Sequence, residues 1–166
     1  MSDYIFYPGC SMESSAKAYY ESVMAVCKQL GIGLKEIDDW NCCGATEYFS
    51  LDLTPAYALI ARNLALAEQQ ADGANEIIAP CSACYLNLAK TDHYMHDDKA
   101  FGKKINEALA AGDLHYTPGK LAVRLYWMLR TKTEYPAIAR MESSSRVPLA
   151  GSRHTETVIE RSPTRR

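Results

Sequence analysis

The chain has 166 residues, 48% of them hydrophobic and 23% charged, which is the length and composition of one soluble globular domain. A chain this long can bury a core without disulfide staples. A formal net charge of -2 gives no basic face for nucleic acid.

Residues 4–7 (YIFY) form a short apolar run closed by Pro8-Gly9, and they predict a buried strand. Ala16, Tyr19, Tyr20, Val23, Cys27 and Leu30 recur at steps of three and four, which predicts an amphipathic helix ended by Gly31. Residues 33–38 predict a second strand, and WNCCG at 40–44 a loop. Thr54-Pro55 reads as an N-cap with proline at the first helical position, followed by a helix-forming stretch that Asp72-Gly73 closes. Residues 76–79 predict a third strand ending at Pro80, then a helix from the Cys81–Cys84 step to about Lys90. A further helix is expected over 99–111, ended by Gly112, and a last strand over 120–126.

Strands alternating with helices predict an α/β fold, Rossmann-like in its layers, with a mainly parallel sheet. In such a sheet the functional crevice lies beyond the carboxyl ends of the strands. Cys10 follows the first strand, Cys42 and Cys43 the second, and Cys81 and Cys84 the third, so all are expected at one edge of the sheet. The expected organisation is one domain over residues 1–130 and a disordered tail over 131–166. From about Glu142 the chain has no aromatic residue or cysteine, and its arginines (Arg146, Arg153, Arg161, Arg165, Arg166) read as part of that tail.

No secretory signal and no apolar run of transmembrane length is visible, so the expected location is the cytoplasm. Thiols stay reduced there, and six cysteines read as metal or redox groups. The pattern is C-x31-CC-G-x36-C-x2-C. Thiolates are soft donors that suit iron–sulfur clusters. Neighbouring side chains in extended backbone point to opposite sides, so Cys42 and Cys43 can share one cluster only if the chain bends, as Gly44 permits. Structural zinc, a redox dithiol at Cys81 and Cys84, or inert buried cysteines are the competing readings. Cys27 lies on the helix face with Val23 and reads as core.

The run YPGCS…WNCCG…APCSACY closely resembles the CCG domain, the cysteine-rich module of the heterodisulfide reductase B-subunit. Similar modules occur in iron–sulfur subunits of lactate, glycolate and glycerol-3-phosphate oxidising enzymes. The resemblance spans residues 3–112 and covers a single CCG domain, where the reductase subunit has two. It implies that Cys10, Cys42, Cys43, Cys81 and Cys84 carry a noncubane [4Fe–4S] cluster. It further implies single-electron delivery to a thiol or disulfide substrate, with a ferredoxin-like iron–sulfur subunit and a flavin subunit as partners. The oxidase relatives imply an alternative, an electron relay that binds no substrate. A zinc-stabilised interaction domain is the third reading. Trp40 and Asn41 are candidates for packing and hydrogen bonding around a sulfur. His93 and His96, among Asp92, Asp97 and Asp98, read as a solvated face.

Overall fold

The structure is a computed structural model that describes residues 3–45, 47–50 and 52–126. Four strands, β1 (Asp3–Phe6), β2 (Gly33–Glu36), β3 (Glu76–Ala79) and β4 (Ala122–Leu125), form one sheet in the order β2-β1-β3-β4. Every neighbouring pair is parallel, with Tyr4 beside Leu34, Ile5 beside Ile77 and Ile78 beside Arg124. The chain runs from β1 out to β2, then crosses back over β1 to β3. The direction of winding therefore reverses between β1 and β3, and parallel α/β sheets open their crevice at such a reversal.

Helices α1 (Cys10–Glu13), α2 (Lys17–Gln29), α3 (Leu53–Gln69), α4 (Ser82–Asp97) and α5 (Lys99–Leu109) cover both faces. The two-residue period of the strands sorts side chains between two cores. Ile5, Tyr7, Ile77 and Ala79 pack with Ile60, Leu64, Leu88, Met95 and Ile105 from α3, α4 and α5. Phe6 and Ile78 face the other way, against Met12, Val23 and Cys27 of α1 and α2 and against Tyr126. This is the α/β layered fold expected from the alternation of elements.

Several boundaries differ from the sequence reading. α1 is a single turn with no periodicity to announce it. α2 buries a narrower stripe than expected, because Tyr19 and Leu30 are exposed while Val23 and Cys27 are buried. The cap of α3 is Asp52, not Thr54: its carboxylate accepts the Thr54 amide at 3.0 Å. Pro55 then stands third in the helix, still within the first turn whose amides lack helical partners. α4 runs seven residues past the expected end at Lys90. Asp98 separates it from α5 and accepts the amides of Ala100 and Phe101 at 2.9 and 3.0 Å. No described helix is long and apolar enough to cross a membrane. The expected tail at 131–166, with its arginines, lies outside the described residues.

Candidate functional site

The carboxyl ends of β1, β2 and β3 deliver the thiols. β1 ends at Phe6, Tyr7 adds one more residue, and the Pro8-Gly9 turn places Cys10 at the start of α1. Gly9 has φ +78°, and a Cβ built on it would stand 2.8 Å from the Cys84 sulfur, so the backbone here lies directly against a thiol. Beyond β2 the chain is irregular through residue 45. Cys42 is exposed and Cys43 is 2% exposed, as adjacent side chains of extended backbone should be. Gly44 turns the chain at φ +67°. Cys81 is the half-buried N-cap residue of α4, and Cys84, in its first turn, is 3% exposed.

The five thiols gather at the carboxyl ends of the three strands. Cys10 and Cys42 lie 3.9 Å apart, sulfur to sulfur. Cys43 lies close enough to Cys42 and Cys84, and Cys84 to Cys81, for hydrogen bonding between the thiols to perturb their acidity. The bond from Cys84 holds Cys43 below the ordinary thiol range, against burial. The same bond, followed by burial, pushes Cys84 up. Partial burial raises Cys42. Tyr7 sits beneath the group with its hydroxyl acidity suppressed, first by burial and then by Cys84, Cys43, Cys42 and Cys10. Among the described residues, no three His, Cys, Asp or Glu groups converge on a point where a single metal ion could sit.

The backbone around the tandem pair is fixed by side chains from three elements. The Tyr7 hydroxyl donates to the Asn41 carbonyl at 2.7 Å. The Asn41 amide donates to Asn63 Oδ1 of α3 at 2.8 Å. Asn87 Nδ2 of α4 donates to the Cys43 carbonyl at 2.9 Å. Arg62 Nη1 adds bonds to the Asp39 carbonyl at 2.7 Å and to Asn41 Oδ1 at 3.1 Å. Asn41 was expected near a sulfur; instead its Nδ2 donates to the carbonyls of Cys42 and Leu59 at 2.9 and 3.0 Å and shapes the loop. Trp40 packs edge-on to Tyr7, with ring centres 5.4 Å apart, and its indole N–H donates to Glu36 Oε1 at 3.2 Å.

Sequence reasoning missed Tyr7, Asn63 and Asn87. Tyr7 looks like an ordinary strand end, whereas Asn63 interrupts an otherwise apolar helix face and is the one position whose polarity signals a buried partner. Cys27 lies apart from the thiol group, buried beside Phe6, Met12 and Val23. His93 and His96 are also elsewhere. They are exposed and share Asp97 at 3.3 and 3.1 Å, with His93 nine residues, or roughly 13 Å, along α4 from Cys84.

The family model of the CCG cysteine-rich domain matches residues 4–89, a span that contains all five clustered thiols. The chain belongs to this family. The CCG chain is also 33% identical over 132 residues to the 8-methylmenaquinol:fumarate reductase membrane anchor subunit of Wolinella succinogenes, covering 80% of itself and 45% of that protein. It is 27% identical over 130 residues to a heterodisulfide reductase B-subunit-like protein of Archaeoglobus profundus, covering 78% of itself and 42% of that protein. It thus spans less than half the length of these curated relatives. A crystal structure of a hypothetical protein from Helicobacter pylori shares the fold with a TM-score of 0.63 at 17% identity, covering 76% of this chain and 25% of that one. Both curated relatives are subunits or subunit-like proteins of reductases.

Proposed function

We propose that this CCG domain is an iron–sulfur subunit of a heterodisulfide reductase-like complex, with Cys10, Cys42, Cys43, Cys81 and Cys84 holding a noncubane [4Fe–4S] cluster. The observation that carries the reading is the gathering of these five thiols at three strand ends, with the Cys10 and Cys42 sulfurs 3.9 Å apart. Thiols bind a metal as thiolates, and a polynuclear cation would offset the mutual repulsion of those charges while using the soft donor set. When bound, such a cluster supplies one-electron chemistry beside a sulfur substrate. The protein's own residues prepare the site. Tyr7, Asn63 and Asn87 hold the tandem-cysteine loop in register, and Gly9 leaves room for Cys84. Burial of Cys43 and Cys84 keeps water from one side, whereas exposed Cys10 and Cys42 leave the other side open.

A disulfide substrate takes up two electrons and two protons to give two thiols, so single electrons have to arrive twice. A ferredoxin-like iron–sulfur subunit and a flavin subunit are the proposed sources, and the cytoplasm, where the six free cysteines stay reduced, is the proposed location. A second reading is an electron relay within a flavin-linked dehydrogenase, with no substrate at the cluster. The likeness to an anchor subunit of a quinol-linked reductase favours it.

Anaerobically purified protein is expected to be brown and to contain about four irons with acid-labile sulfide per chain. Cys42→Ser and Cys43→Ser are expected to abolish this content. A colourless protein with one zinc would replace the proposal with a structural metal site. Adding a thiol to the oxidised protein shifts its paramagnetic resonance signal if substrate binds at the cluster, and leaves it unchanged if the domain is a relay.

A further inference from the structure

The open side of the thiol group faces a cleft, and the charge of that cleft selects what can reach it. Cys10 and Cys42 form part of the wall of a cavity of about 740 Å³. That volume lies within the range of about 300–1,000 Å³ typical of small-molecule sites. Every ionisable lining residue besides the two cysteines is a carboxylate: Glu13 at the end of α1, Glu36 at the end of β2, and Asp38 and Asp39 on the loop that follows. Arg62 pairs with Asp39, so one of the four charges is compensated from outside the lining. Glu36 accepts the Tyr20 hydroxyl and the Trp40 indole N–H, both at 3.2 Å, which fix its carboxylate without neutralising it. Glu13 and Asp38 are exposed.

The geometry points to a small thiol- or disulfide-bearing cation, such as an amine-tailed thiol, as the ligand this cleft admits to the cluster edge. The inference rests on the function proposed above and names the substrate class of the same site. An anionic thiol tail would enter a recess already carrying about three uncompensated negative charges. A focused field of that sign raises the local concentration of cations and lowers that of anions.

The test uses the full chain and two methanethiosulfonates, trimethylammonioethyl and sulfonatoethyl. In each, the protein thiolate displaces methanesulfinate and forms a mixed disulfide, so the probes share their chemistry and differ in charge. With metal removed by a chelator, the cation is expected to label Cys10 and Cys42 about tenfold faster than the anion at low salt. The ratio is expected to fall towards one in about 1 M salt, where the Debye length is about 3 Å. It should fall likewise in the Glu13→Gln, Asp38→Asn double variant and in concentrated urea. Equal rates, or a preference that survives urea, overturn the inference. With the cluster loaded, cysteamine is expected to change the paramagnetic resonance signal at lower concentration than mercaptoethanesulfonate, and the reverse order overturns the inference independently of the metal-free measurement. Charge-selective labelling in a chain that binds no iron would support the cleft and remove the cluster reading. Unselective labelling in a chain that binds four irons would do the opposite.

Discussion

Gly9→Ala is expected to cost more stability than any other glycine-to-alanine change at a positive-φ turn of this domain, and to weaken the cysteine site directly. Gly9 has φ +78° and ψ +154°, a region that residues with a Cβ scarcely populate, at a cost of about 1–3 kcal/mol. The added methyl would stand 2.8 Å from Cys84 Sγ. Ordinary contact is about 3.5–4.0 Å, so the sulfur has to retreat by nearly an ångström. Cys84 is buried in the core with Cys43, and overpacking a site of this kind costs a further 1–3 kcal/mol or so. Gly31→Ala is the control. Gly31 also has a positive φ, +65°, but no heavy atom lies within 4 Å of its built Cβ, leaving backbone strain of about 1–2 kcal/mol alone. Urea unfolding is therefore expected to show Gly9→Ala losing roughly 2 kcal/mol more than Gly31→Ala. Iron and sulfide content after anaerobic reconstitution should fall only in Gly9→Ala. Equal stability losses together with full iron content in both variants would refute the argued contact between Gly9 and Cys84.

Tyr7→Phe keeps the ring but leaves the Asn41 carbonyl without its 2.7 Å donor, and is expected to cost about 1–3 kcal/mol in urea unfolding. Because the lost bond fixes the tandem-cysteine loop, the same variant should release iron to a chelator faster than the parent, and an unchanged release rate would separate Tyr7 from the site. Cys27→Ala removes a small buried side chain from the core of α2 and is expected to cost about 1–2 kcal/mol while leaving the iron content unchanged. Burial alone would raise the Glu68 carboxyl, but bonds from Lys120 and the Thr117 amide outweigh it and hold the group below its ordinary value. A lowered folded value means stability that is present above the ordinary carboxylate range and lost as the pH falls through the folded value. Glu68→Gln should therefore flatten the acid limb of a urea-midpoint profile as the pH falls through and below the ordinary carboxylate range.

The central strands were legible because their information is local. YIFY and EIIA are short apolar runs bounded by turn residues, and β3 falls on the residues expected, Glu76–Ala79. Burial on both faces explains why these strands lack polar alternation. What the sequence hid depended on partners distant in the chain. α4 continues past Lys90 because Thr91 and Met95 are buried in the domain core, a reason invisible in a stretch as polar as KTDHYMHDD. Tyr19 and Leu30 have the right spacing for the buried face of α2, yet the sheet and α1 cover only the stripe through Val23 and Cys27. Periodicity locates a face but not the width that its neighbours cover.

The thiol site divides in the same way. That five cysteines meet was legible, because the order of strands and helices alone puts residues 10, 42, 43, 81 and 84 at one sheet edge. The burial of each was not. Cys42 and Cys43 are adjacent in sequence, yet one is exposed and the other enclosed, since extended backbone turns successive side chains apart and only one side of the loop meets α3 and α4. The asymmetry follows from the fold. Cys43 and Cys84 face the large core between the sheet and α3–α5, whereas Cys10 and Cys42 face the cleft beyond β2 at the edge of the sheet. Under the function proposed above, a cofactor held by all five would have a dry side and a wet side, with Glu13 and Asp38 lining the approach to the wet side. The carboxylates that line this approach belong to no cysteine motif.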